Sequence, residues 1–168
     1  MFDYYFCSML YTRSKIPKSI CICLITSFAY LPVASADHRD SDPTYEIKSM
    51  RIVTPLSETP GDPVQGEKIV AGREGNCLAC HKAPIPTEEF HGNLGPSLFN
   101  VGNRYDEAEL RLRIVDPKAI NPGTIMPAFF KVIGLQRVAK QYRDRPILNA
   151  QQIEDVIAYL QTLTYTEE

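Results

Sequence analysis

Apolar residues recur at helical spacing most regularly near the end of the chain, at Ile153, Val156, Ile157, Leu160 and Leu163. This stripe predicts the buried face of a helix. Asn149 stands at the capping position with Gln152 three residues on, so the helix should start just after Asn149. Ala158 and Tyr159 lie beside the stripe. A second helix is predicted after Tyr105. There Asp106 and Glu109 form a capping box, Leu110, Ile114 and Val115 supply an apolar side, and Pro117 ends the run. An earlier helix should begin at Asp62, with Pro63 at its first position and Gln65 where a capping box wants Glu or Gln. It runs through Ile69 and Val70 to about Gly72. Gly66 in its interior costs about 1 kcal/mol relative to Ala, a cost that close approach by another helix would explain.

No convincing period-two alternation appears, so no sheet is expected. The 13 prolines and 9 glycines fall largely between the predicted helices, which makes the connections long loops. Loops of that length need an organiser. Residues 37–61 are polar and carry Pro43, Pro55 and Pro60. They read as an arm in which Tyr45–Lys48 and Met50–Val53 are candidate extended pieces. Such an arm is ordered only if it docks on something, a partner being the candidate, and is otherwise a disordered leader.

The first 36 residues have the layout of a secretory signal. Arg13, Lys15 and Lys18 form a basic region, Ile20 to Val33 is mostly apolar, and Ala34-Ser35-Ala36 is a small-x-small cleavage site. The apolar run is interrupted by Pro32 and is short of the about 20 residues that a membrane span needs. Cleavage after Ala36 is therefore expected, giving an exported chain that starts at Asp37, with no membrane span left. Met9 would give a more ordinary signal than Met1. Nothing resembling a lipobox leads into Cys21 or Cys23.

Composition changes this picture in two ways. The formal charge of −2 becomes about −4 once the leader is removed, which is not the balance of a nucleic-acid binder. Of five cysteines, Cys7, Cys21 and Cys23 leave with the leader. Cys77 and Cys80 remain, so no disulfide and no spare thiol is expected.

Those two residues carry the chemistry. Cys77-Leu78-Ala79-Cys80-His81 is the CxxCH pattern of covalent haem attachment. Each thiol adds to one haem vinyl group, and the short loop leaves the His81 ring nitrogen beneath the iron. A zinc ribbon would need a second ligand pair, which is missing. A thioredoxin-like dithiol would sit near a βαβ pattern, also missing. The iron takes two axial ligands, and His81 is one. Candidates for the other are His38, His91, Met50 and Met126. Met126 stands in Thr124-Ile125-Met126-Pro127, after the turn Asn121-Pro122-Gly123 and before the last helix, and is the expected ligand. A Met ligand raises the reduction potential relative to a second His. The other nitrogen of His81 needs an acceptor, and the turn Gly95-Pro96-Ser97-Leu98 is the expected source, through the Pro96 carbonyl.

With these features the chain resembles a class I cytochrome c from about Asp62 to Thr164. The resemblance implies an all-α fold, helices and long loops wrapped around one covalently bound haem c, with 62–168 as the cytochrome domain. It also implies that the first and last helices cross closely, with Gly66 opposite Tyr159. Three strings bring it closer to the SoxX family of monohaem cytochromes: Gly95-Pro96-Ser97-Leu98 through Arg104, Arg113-Ile114-Val115-Asp116-Pro117, and Thr124 through Phe129. Gly134-Leu135-Gln136-Arg137-Val138 through Leu148 extends the match.

That family implies a periplasmic electron-transfer subunit in a heterodimer with a SoxA-type cytochrome. In such a complex, thiosulfate is oxidatively joined to a cysteine of the SoxYZ carrier, an L-cysteine S-thiosulfotransferase activity. The sulfur chemistry belongs to the partner subunit. The haem of this chain would take up the electrons and pass them to a small soluble cytochrome. Cys77, Cys80, His81 and Met126 carry over directly, and no residue of this chain is expected to be catalytic. The alternative function is a free-standing electron carrier between a respiratory complex and a terminal oxidase or reductase. A haem-based gas sensor is disfavoured by Met126. A partner-bound subunit should show an apolar patch, to which Val132, Ile133, Leu135 and Val138 are candidates. Arg137, Lys140, Arg143 and Arg145 form a basic cluster, either a solvated face or an attraction for an acidic partner.

Overall fold

The longest helix, α4 (Ala150–Thr162), starts where its capping pattern places it. Asn149 accepts from the Gln152 amide, and the Gln152 side chain accepts from the Asn149 amide. Its stripe of Ile153, Val156, Ile157 and Leu160 is buried, and Leu163 is buried just beyond. α3 (Glu107–Val115) opens with the Asp106–Glu109 capping box and stops before Pro117. α1 (Pro63–Ala71) is capped by Asp62, whose side chain accepts from the Val64 amide at 2.8 Å. Here the capping box is not closed by Gln65. Asp155 of α4 takes the Asp62 amide instead, at 2.8 Å, so a tertiary contact replaces a local one.

The computed structural model describes residues 44–164. The expected signal and its cleavage site, and His38, lie outside the described residues. Among the described residues there is no named strand, and no helix is long and apolar enough to cross a membrane.

α1 and α4 make the most extensive helix–helix contact. Gly66 is what lets them cross: a Cβ there would stand 2.0 Å from the Asp155 carbonyl oxygen and 2.7 Å from the Tyr159 Cβ. α3 also packs on α4, and Leu110, Leu112 and Val115 join the core. A short helix, α2 (Val101–Arg104), was not anticipated. Its glycine weakens any local signal. It is held by the end of α4, where the Gly102 amide donates to Leu163 O and the Gln161 side chain donates to Tyr105 O.

Residues 44–61 are ordered on the chain's own helices. The two candidate extended pieces form one tight hairpin, with Lys48 and Arg51 exchanging both backbone bonds across Ser49 and Met50, both at positive φ. Ile52, 1% exposed, enters the core, and its amide donates to Ala108 O. A buried ion pair underlies this docking. Arg111 of α3 grips Glu154 of α4 through two bonds of 2.7 Å and donates a third to Ile52 O. Glu154 in turn accepts from the Leu56 amide at 2.9 Å. Arg51 pairs with Asp106, and Tyr45 lies 6.4 Å from Phe130, ring to ring.

Candidate haem site

The chain leaves α1 through a turn in which the Asn76 amide donates to Gly72 O. Asn76, in the left-handed region at φ 50°, then starts a 3-10 turn over Cys77–Ala79. That turn sets the two cysteines and His81 on one short loop, with the His81 amide donating to Cys77 O. Residues 92–98 run alongside. Gly92 donates to Leu78 O, Gly95 to Cys80 O and Leu98 to Lys82 O.

This register delivers the Pro96 carbonyl to His81 Nδ1, at 2.6 Å. A carbonyl only accepts, so Nδ1 carries the proton and Nε2 is left free as a ligand. Gly95 permits the approach: a Cβ there would lie 2.3 Å from His81 Cε1 and 2.6 Å from Nδ1. Arg104 of α2 steadies the same loop by donating to Ser97 O.

A cavity of about 570 Å³ opens beside these residues, within the range of roughly 300–1,000 Å³ usual for cofactor pockets. Cys77, Cys80 and His81 line one side, and Met126 with Pro127 lines it too. The Met loop is shaped by its own turn, in which Gly123 donates to Asn121 Oδ1, Thr124 to Asn121 O and Met126 to Thr124 Oγ1. Of the other candidate ligands, Met50 is half-exposed at the hairpin tip, away from the cavity. His91 is also absent from its lining, and its Nδ1 accepts from the Ala83 amide at 3.3 Å.

The donor set fits a covalently attached haem. Cys77 and Cys80 are unbonded thiols. Burial pushes the Cys77 thiol up to about 11, with the neighbouring Cys80 adding to the shift. A redox dithiol needs a lowered pKa, so this environment argues against a disulfide-exchange pair. No group of three or more His, Cys, Asp or Glu forms a metal cluster among the described residues.

Several contributors were invisible in the sequence. Tyr142 and Ile147, from the segment between Lys131 and Leu148, line the cavity. Leu94 and Ile125 stand at it while 71% and 78% exposed, so apolar surface lies at its edge. Of the four residues expected to form an apolar patch, Ile133 and Leu135 are exposed, whereas Val132 and Val138 are half-buried. Arg137, Lys140, Arg143 and Arg145 are exposed, and Arg145 donates to Gln141 O. No signal in the pattern of these residues tells which of them face the cavity.

Comparison with known proteins gives two findings. Residues 64–164 match the family model for cytochrome c. Among solved structures, the chain is similar to a chain of SoxXA from P. pantotrophus, at 38% identity and a TM-score of 0.68, covering 74% of this chain and 98% of that one. No curated protein sequence matches.

Proposed function

The chain belongs to the cytochrome c family, within it to SoxX, and from that premise we propose that it is the monohaem electron-transfer subunit of a SoxAX-type L-cysteine S-thiosulfotransferase. It is an all-α class I cytochrome c, and the family implies covalently bound haem c. The single observation that carries the proposal is the gathering of Cys77, Cys80, His81 and Met126 around one cavity.

In this reading there is one haem. Cys77 and Cys80 would hold it by thioethers, His81 and Met126 would supply its iron ligands, and Pro96 would fix the His81 tautomer. When bound, the haem supplies a one-electron redox centre. The chain's own residues do the rest. The Pro96 bond orients the imidazole and sets which ring nitrogen faces the cofactor. Ile147, Phe129 and Pro127 line the site with apolar surface, and a Met ligand would favour the reduced state. The exposed Leu94 and Ile125 offer a dry contact for a redox partner at the cavity's edge.

The partner is a SoxA-type cytochrome in a periplasmic heterodimer, where thiosulfate is coupled to the SoxYZ carrier and the electrons released reach this haem. They leave to a small soluble cytochrome. A signal cleaved after Ala36 exports the chain, in which residues 44–61 dock on the cytochrome domain at 62–168. Similarity to the SoxXA complex supports the partner, and the lack of a cysteine beyond Cys77 and Cys80 after Ala36 supports the placing of sulfur chemistry on the other subunit.

The test is purification of the chain from its native periplasm during growth on thiosulfate, with mass and haem content measured. A second c-type cytochrome in fixed ratio, with one haem on this chain, is expected. A haem protein running alone at monomer size would sink the subunit role and leave a free-standing carrier. For the ligand, Met126→Ala should abolish the sulfur-to-iron charge-transfer band of the oxidised protein. Survival of that band would overturn the assignment.

A further inference from the structure

The Met126 loop is tied to the body at its neck. Asp116 closes α3, and Lys131 follows the loop. Lys131 Nζ donates to Asp116 Oδ2 at 2.6 Å, bringing together residues 15 apart. Two backbone bonds reinforce the same place: Phe129 N–H to Ile114 O and Leu148 N–H to Phe129 O, both 3.0 Å. Between these anchors the bonds are local. Asn121 donates to Pro117 O, Thr124 to Asn121 O and Met126 to Thr124 Oγ1. The position of Met126 therefore follows the position of the neck.

Packing holds the loop in part: Phe129 and Phe130 are buried in the core, and Met126 rests against its edge. Met126 borders the haem-side cavity on one side and a second cavity of about 730 Å³ on another. Asp116 and Lys131 both line that second cavity. The Asp116 side chain is 8% exposed, and its Oδ1 is buried without a hydrogen-bond partner. A pair of this kind contributes little net stability over well-packed apolar residues. Breaking it is costly, because it strands a buried charge. Such a pair selects one arrangement: a neck that slips loses the match to Asp116.

We infer that the Asp116–Lys131 ion pair is a clasp that positions Met126 toward the haem iron, a second restraint beside the packing of Phe129 and Phe130 on a loop that also borders the second cavity. This rests on Met126 being the axial ligand. Asp116 and Lys131 are positioning residues and touch neither the iron nor a redox partner in this role.

The test uses the haem-loaded full chain carrying Asp116→Asn, Lys131→Gln or Lys131→Arg. The sulfur-to-iron charge-transfer band and the helical circular dichroism are followed together with temperature. Asp116→Asn and Lys131→Gln should raise the Met-free fraction roughly tenfold or more, the scale on which outer-shell partners act. The band should then fade well before the helices melt. Lys131→Arg keeps the charge and should keep the band. Asp116→Asn preserves shape, so it reads the charge rather than the packing. Unchanged band behaviour in both neutral variants overturns the clasp, as does fading of band and helix signal together. A missing band in the unaltered chain overturns the Met126 reading itself, and the two failures are thus told apart.

Discussion

Gly95 brings its backbone so close to the His81 ring that no side chain fits between them. Gly95→Ala should force the ring or the loop aside, costing about 1–3 kcal/mol of stability by overpacking. The visible spectrum of the haem-loaded protein should shift as the Pro96 bond lengthens. A spectrum and urea midpoint equal to those of the unaltered chain would show that the ring is not held this way. The role of Pro96 was legible in the sequence, because a proline carbonyl beside a glycine in a tight turn is a ready acceptor. The contact distance was not, since it depends on how residues 92–98 lie along 78–82. Gly66 teaches the same lesson. Its cost inside a helix signalled a close neighbour, and the neighbour is the Asp155 carbonyl.

At the scale of elements, α1, α3 and α4 follow from caps and periodicity, whereas α2 and the hairpin at Lys48–Arg51 do not. The latter two are built by contacts with distant residues, such as Gly102 with Leu163 and Ile52 with Ala108. The Arg111–Glu154 pair joins α3, α4 and the preceding segment. Both residues look like surface charges in a sequence, yet they are 2% and 7% exposed. Glu154→Gln should cost about 3–5 kcal/mol, because the Arg111 charge stays buried without its partner. Replacing both, as Arg111→Met with Glu154→Leu, should recover much of the loss in urea unfolding. Amide exchange separates the contributions further. In Glu154→Gln the Leu56 amide loses its carboxylate acceptor and should exchange faster, while the Ile52 amide keeps Ala108 O. Equal acceleration at both would mean that the whole segment has lifted.

For the whole molecule, residues 44–61 belong to the folded body. A chain that lacks residues 37–61 loses Ile52 from the core, and that side chain alone is worth about 1.5–3 kcal/mol. Its urea midpoint should fall accordingly, and an unchanged midpoint would show that the segment contributes nothing to the fold. The chain's own residue order was enough to place the thiols of Cys77 and Cys80 and the imidazole of His81 together, since CxxCH needs only local spacing to do so. It also determined the three capped helices, because caps and stripes are written within a few residues. Tertiary structure alone decided which distant groups share the cavity, why the polar segment before α1 is ordered, and how Asp116 meets Lys131. The physical reason is that burial and pairing of a charged or irregular segment depend on surfaces that exist only once the helices have packed.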